Sequence, residues 1–529
     1  MFSRSMLAAV FLTSLVLSAE PTHAQNPRRL SVPFPVLSVQ FTPTGDTLVC
    51  LGTELGRMNG RALGIMSAVQ VIDLKTNKVP FEVRPSSTLG MANRSFTSAG
   101  FHEGLAVAPD GKEIAWVAAN GTQLVSILGP NNEIRNIPKG ATGPASSIVF
   151  TPDQKNIVVG QWNGRATVFD RTTGKIERTL STKLSAASTI AIDPNGEFLA
   201  CANRGDDVSL VNLQTGKVLR TWKQGGDKTK RRLRGVYPRL VFSPDGRVLA
   251  TVGTGPVILW DVQNGEIVQR IGESISAVSF SPDGRTLALA EKPNGTIRLW
   301  DLAQQQFIAE LDGSRSVQTL AFSPSGKQLA FAGAAKAARE AFVWDLESVL
   351  PKERFVRTVT PKELERLWTN LQGGNGTAAA YGAMWRLVGS PKQALTILKD
   401  RLKPAKTSGR VDPKRIAKWI KDLDSQRFKT RAVASANLAK QDRSVLPLVE
   451  AALEKAPSQE ARDRLSKLAE KLRTQKRSPA ELRAIFGVQT LENIGTQQAK
   501  VLLQQLARGV EESPLTQEAK KALKRWDTK

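Results

Sequence analysis

The chain has two histidines in 529 residues, His23 and His102. That count excludes multi-histidine metal sites, and a histidine-based triad would rest on His102 alone, beside Glu103. The adjacent acids Asp206 and Asp207 lack the ligand spacing of a calcium loop. Cys50 and Cys201 each lie inside an apolar, strand-like run and read as two separate buried thiols. There is no phosphate loop, dinucleotide fingerprint, haem-attachment pair or nucleophile elbow. The run Gly373-Gly374-Asn375-Gly376 follows no strand, so it reads as a linker. The sequence predicts no catalytic residue, no metal site and no cofactor.

Cationic chemistry, by contrast, is plentiful. The net charge is +26, which calls for an anionic partner or a strongly basic solvated surface. Lys228, Lys230, Arg231, Arg232 and Arg234 crowd one segment, 223–237. It reads as an anion-binding finger whose arginines give bidentate contacts to phosphate, sulfate or carboxylate, or else as a solvated loop. A second concentration, Arg462, Arg464, Lys467 and Lys471, falls on the helix expected over 458–473. From 360 to 529 there are 34 Lys and Arg against 18 Asp and Glu.

The elements that carry these charges repeat. Residues 239–262 hold three β-length apolar runs, separated by Ser243-Pro244-Asp245-Gly246 and Gly253-Thr254-Gly255 and ending in Trp260-Asp261. Pro244 presets φ at the second turn position, and Gly246 accepts the positive φ that the turn needs. Seven copies follow the turn prolines Pro43, Pro109, Pro152, Pro194, Pro244, Pro282 and Pro324. A spacing of about 40–45 residues is that of propeller blades. The last three copies carry the full pair: Trp260-Asp261, Trp300-Asp301 and Trp344-Asp345. Their repetition marks a structural rather than a catalytic role.

On these motifs residues 37–346 resemble a WD-repeat β-propeller with seven blades. The Gly-His pair usual before the inner strand of that family is missing, so its His–Ser/Thr–Asp–Trp network cannot form in the usual version. Residues 28–34 are expected to supply the missing outer strand of the last blade, with 354–359 as the competitor. Long segments at 53–68, 84–103, 223–237 and 333–340 interrupt blades or separate them, all at one end of the propeller. That end is the expected binding face.

The sequence divides into a signal peptide (1–24), a propeller (25–350), a linker (351–360) and a basic α-helical domain (361–529). Arg4, the apolar stretch from Met6 to Leu17 and Thr22-His23-Ala24 make the first segment a secretory signal, cleaved before Gln25 or retained as an anchor. No other run is long enough to cross a bilayer. Beyond 360, Thr360-Pro361-Lys362-Glu363 and Ser478-Pro479-Ala480-Glu481 read as capping boxes. About ten amphipathic helices are expected, arranged as a bundle or a HEAT-like solenoid.

The whole resembles secreted bacterial proteins, of the kind found in planctomycete-type genomes, that join WD repeats to a basic helical tail. Glu363 to Leu371, Leu423 to Phe428 and Leu491 to Thr496 carry that resemblance. It implies an architecture and no established activity. The expected function is an extracytoplasmic scaffold, periplasmic or secreted. The propeller loops would bind a protein partner, and the basic helices an anionic envelope polymer, lipid headgroups or a second partner. A hydrolase or oxidoreductase in the central channel is the first alternative. Nucleic-acid binding is the second; it conflicts with export and lacks aromatics interleaved among the basic residues.

Overall fold

The computed structural model describes residues 26–527 apart from 59–60, 84–103, 118–124, 138–144, 188, 204–206, 224–237, 254, 314–315, 334–338, 351–357, 375, 406–412, 442, 455–457, 476 and 512. Its first part is seven four-stranded antiparallel sheets. Blade one spans 36–83, two 105–137, three 145–181, four 189–223, five 239–271 and six 275–311. Blade seven joins the strands at Val317–Phe322, Gln328–Gly333 and Glu340–Asp345 to Arg28–Ser31. The inner strands of neighbouring blades pack on one another in an unbroken circle. Burial falls outward along each sheet. Every residue of Val248–Val252 is buried, whereas the outer strand Ile176–Ser181 exposes all but Leu180.

The ring is closed from its amino-terminal end. Arg28–Ser31 pairs antiparallel with Val343–Glu340 and so takes the outer-strand position of blade seven; most of the competing segment 354–359 lies outside the described residues. Leu30, Val32 and Phe34 sink into one cluster with Val36 and Leu48 of blade one and Ala330, Ala332 and Ala341 of blade seven. The Arg28 guanidinium donates to the Leu74 carbonyl and to Asn77 in blade one, and Arg29 pairs with Glu340. One strand therefore ties the last blade to the first, and no long sheet edge is left at the seam.

The proline turns interlock around the ring. Gly45 has φ +77°, and a Cβ there would sit 3.3 Å from Cδ of Pro324 in the preceding blade. Gly284 stands in the same relation to Pro244 at 3.5 Å. The positive φ favours glycine at such a turn, and blade three alone places another residue there, Gln154 at φ +65°.

The segment 53–68 does not interrupt blade one. It continues the second and third strands, Thr47–Met58 and Arg61–Asp73, into a paired ribbon that runs past the sheet from Thr53–Ser67 to Met58–Arg61. Alternating ladder hydrogen bonds satisfy its backbone, which an irregular insertion would leave to water. The other three long segments lie wholly or largely outside the described residues.

The second part is helical: α1 (Pro361–Asn370), α2 (Thr377–Val388), α3 (Pro391–Arg401), α4 (Pro413–Asp422), α5 (Phe428–Ala439), α6 (Leu446–Glu454), α7 (Gln459–Thr474), α8 (Pro479–Ile494), α9 (Gln497–Leu506) and α10 (Pro514–Asp527). Ser478 and Glu481 form the full capping box. Thr360 caps α1, but the Glu363 carboxylate turns to Arg386 at 3.6 Å. The packing is non-sequential: α2 lies on α8, and α8 on α10. Helices α4–α7 make a separate lobe around Ile416, Leu438, Leu465 and Leu472. The result is a bundle with an inserted lobe. A serial solenoid, in which each repeat touches only its neighbours, would not bring α2 onto α8.

Leu30→Ala is expected to destabilise the propeller by about 2–5 kcal/mol in denaturant unfolding, because the lost side chain fills the seam. Val79→Ala, at an exposed turn position, should change stability by less than about 0.5 kcal/mol. Equal effects of the two substitutions would contradict closure by Arg28–Ser31.

Candidate functional site

The propeller has two unlike ends. One presents the Pro-Asp-Gly turns and the turns that follow Trp-Asp. The other presents the connections from second to third strand and from blade to blade.

The helices sit on the turn end, over blades four to six. Tyr381, Met384 and Trp385 of α2 and Phe486 of α8 share one buried core with Val248, Leu259, Leu302 and Ala303. The turn after Asp261 is clasped by α2: Asn264 donates to Thr377 Oγ1 at 3.0 Å, and the Thr377 hydroxyl donates to Glu266. The charged centre of the junction is Arg247, which follows the blade-five turn. It reaches Glu492 of α8 at 3.3 Å and Glu518 of α10 at 3.2 Å. Arg525 clamps the same Glu492 with two bonds of 2.8 Å. The Glu492 side chain is 2% exposed, and two guanidiniums face it. The equivalent residue one blade later, Arg285, stays inside its blade and bonds Asp301 at 2.9 Å.

The Trp-Asp residues hold turns. Asp261 Oδ1 accepts from the backbone of Gln263 and Asn264, Asp301 from Ala303 and Gln304, and Asp345 from Glu347, at 2.8–3.0 Å. Helical cover over Asp261 pushes its carboxyl pKa up. Trp260 Nε1 donates to Thr251 Oγ1 at 2.9 Å and stacks on Trp222. Trp300 meets Phe307 edge-on, and Trp344 Nε1 donates to the Asp312 carbonyl at 3.4 Å. Without histidine, the tryptophan–hydroxyl bond survives in blade five, and ring packing serves in blade six.

The candidate anion-binding residues have different fates. Lys228, Lys230, Arg231, Arg232 and Arg234 lie outside the described residues, as does His102. On α7, Arg464 pairs with Glu460 at 2.8 Å and bonds Ser435, while Lys471 donates to the Ala439 carbonyl at 2.8 Å. These two tie α7 to α5 by hydrogen bonds. Both line a groove of about 540 Å³ together with Leu438 and Leu468. Arg462 and Lys467 are exposed.

Cys50 and Cys201 are both buried free thiols, and burial pushes the Cys50 thiol up to about 12. The seven inner strands that line the channel contain no Asp, Glu, His or Cys, and Arg239 is their one ionisable residue. Among the described residues no three His, Cys, Asp or Glu side chains gather as a metal site. No helix among them is long and apolar enough to cross a membrane.

The comparisons match this architecture. The family described as "WD domain, G-beta repeat" matches residues 265–301. That match begins in the turn before the outer strand of blade five and ends on the third strand of blade six, so sequence repeat and blade are out of phase by one strand. Guanine nucleotide-binding protein subunit beta-2 of Nicotiana tabacum is 25% identical over 221 residues, 38% of this chain and 57% of the relative. Small ribosomal subunit protein RACK1y of Oryza sativa subsp. japonica is 27% identical over 177 residues, 31% of this chain and 50% of the relative. An uncharacterized WD repeat-containing protein of Synechocystis is 27% identical over 145 residues, 27% of this chain and 39% of the relative. The chain thus spans between about two fifths and three fifths of the length of these relatives.

Glu492→Leu should cost about 3–5 kcal/mol, because it takes both 2.8 Å bonds from Arg525 and one of the two junction carboxylates from Arg247. The quadruple change Arg247→Met, Glu492→Leu, Glu518→Leu and Arg525→Met, which removes both carboxylates together with both guanidiniums, should restore most of that loss, read by calorimetric melting. Acid should act on the same contact. Burial opposes ionisation of Glu518, but Arg247, Lys521 and Arg525 outweigh it and hold its pKa below the ordinary 4.5. Its contribution is complete above pH 4.5 and is lost as the pH falls below that value. Urea melts at stepped pH should show the helical domain loosening first in that window; a junction equally stable on both sides of it would contradict this.

Proposed function

We propose that this seven-bladed propeller, built on WD repeats, is a non-enzymatic interaction scaffold whose loop end binds an acidic protein partner outside the cytoplasm. The carrying observation is a segregation of charge. Counted along the sequence, the second-to-third-strand and blade-to-blade connections, with the blade-one ribbon from 53 to 67, hold 16 Lys and Arg against 6 Asp and Glu. The tight turns at the opposite end hold 10 of each. The helices cover part of the neutral end. A basic face steers an acidic partner and fixes its register.

Three further observations support the reading. Two of the similar proteins are, by name, subunits of larger assemblies. The described channel-lining strands carry no Asp, Glu, His or Cys to activate a hydroxyl. The amino-terminal sequence has the charge, apolar core and small residues of an export signal. The helical domain, with 34 Lys and Arg against 18 Asp and Glu, serves as a second platform for an anionic surface or another partner.

Polyglutamate is the first probe. The protein should retain it at low salt and release it as ionic strength passes about 0.15 M, where the screening length is about 8 Å. Replacing Lys228, Lys230, Arg231, Arg232 and Arg234 by Gln should weaken retention at least about tenfold. Binding indifferent to both salt and these substitutions would sink the electrostatic reading. Amino-terminal sequencing of envelope-fraction protein should begin near Gln25; cytosolic protein with Met1 intact would overturn the assignment outside the cytoplasm.

A further inference from the structure

A cleft of about 270 Å³ lies where blades four and five, the α4–α7 lobe and the α8–α10 bundle meet. Three arginines line it, one from each part: Arg220 on the outer strand of blade four, Arg443 before α6, and Arg477 before α8. Arg220 donates to the Gln263 carbonyl at 2.6 Å, and Arg443 to the Leu472 carbonyl at 3.3 Å. Arg477 has no hydrogen-bond or ion-pair partner among the described residues. Burial, with the positive charges of Arg477 and Arg220, pushes the Arg443 guanidinium down to about 10, against the opposing pull of Glu481 and Glu450. The fold therefore holds three like charges together against their repulsion.

Most acids around the cleft are committed elsewhere. Glu470 pairs with Lys217 at 2.7 Å, Glu518 with Arg247 at 3.2 Å, and Glu481 accepts from the Ser478 amide at 2.9 Å in its capping box. Asp261 stands behind the cluster with one oxygen holding its own turn. Glu197 and Glu450 complete the lining without closing the space.

We propose that this cleft binds a small free oxyanion of the phosphate class, and that the anion braces the propeller, lobe and bundle against one another. Planar guanidinium forks arriving from three directions suit a tetrahedral oxyanion, which takes two-point contacts from each side. Enclosure by three parts of the molecule favours a soluble anion over a headgroup embedded in a bilayer. A ligand that touches all three parts stabilises their docked arrangement by mass action.

The test is thermal unfolding of the full chain with inorganic phosphate or pyrophosphate, against chloride at matched ionic strength. The expected result is a saturable rise in Tm of several degrees for phosphate and pyrophosphate and none for chloride. Arg477→Gln should abolish that rise, read from the variant's own basal Tm because Arg477 also faces the buried carboxylates of Asp261 and Glu518. Arg477→Lys, which keeps the charge and loses the fork, should weaken the apparent affinity about tenfold. The five-Gln change at 228–234 should leave the phosphate response intact, which separates this site from the loop end. A shift that follows ionic strength alone, that persists in Arg477→Gln, or that requires phosphatidylglycerol vesicles in place of free phosphate would overturn the proposal.

Discussion

A four-stranded sheet with two apolar faces is stable only between two others, and in a ring that demand is met for every sheet or for none. The pairing of Arg28–Ser31 with the strand at 340–345 is the contact on which the others depend. Without it blade seven loses its outer strand, blade one loses the Leu30–Phe34 cover of its flank, and the circle of inner strands becomes an arc with two ends. The interlocked turns work in the same way. Each glycine fits under the proline of the preceding blade, and Gly45 under Pro324 makes the series circular.

The one-strand offset between repeat and blade makes closure possible with a short segment. Each repeat contributes an outer strand to one blade and inner strands to the next, so adjacent blades share a continuous piece of chain. Blade seven alone is joined from the two ends of the propeller sequence. The missing histidines remove a polar tie from every blade. Close packing at the blade faces takes over, from the wholly buried second strand of blade five to the stacked pair Trp222–Trp260.

Local features were the ones legible in the sequence. Pro-Asp-Gly turns, terminal Trp-Asp pairs and Ser478-Pro-Ala-Glu481 each encode their geometry within a few residues, and strand count, blade count and helix starts followed from them. What was not legible depends on meetings between distant positions. Arg247 and Arg285 occupy the same place in their repeats, yet one crosses to Glu492 and the other stays with Asp301. Nothing in either repeat distinguishes them, because the difference lies in what covers the turn. The bonds of Arg464 and Lys471 were hidden for the same reason: their acceptors, Ser435 and Ala439, belong to another helix. The segment 53–68 was misjudged because length alone does not separate a loop from a ribbon whose strands simply continue.

The docked helices rest on blades four to six and pass over the rest. A propeller on its own is close to sevenfold in outline, and a ligand approaching along its axis meets nearly equivalent sectors. The bundle abolishes that equivalence. It gives the disc an azimuth, so that whatever is held at one end stands at a fixed rotation about the axis relative to whatever is held at the other. The molecule is in this sense a goniometer rather than a tether, setting an angle as well as a distance.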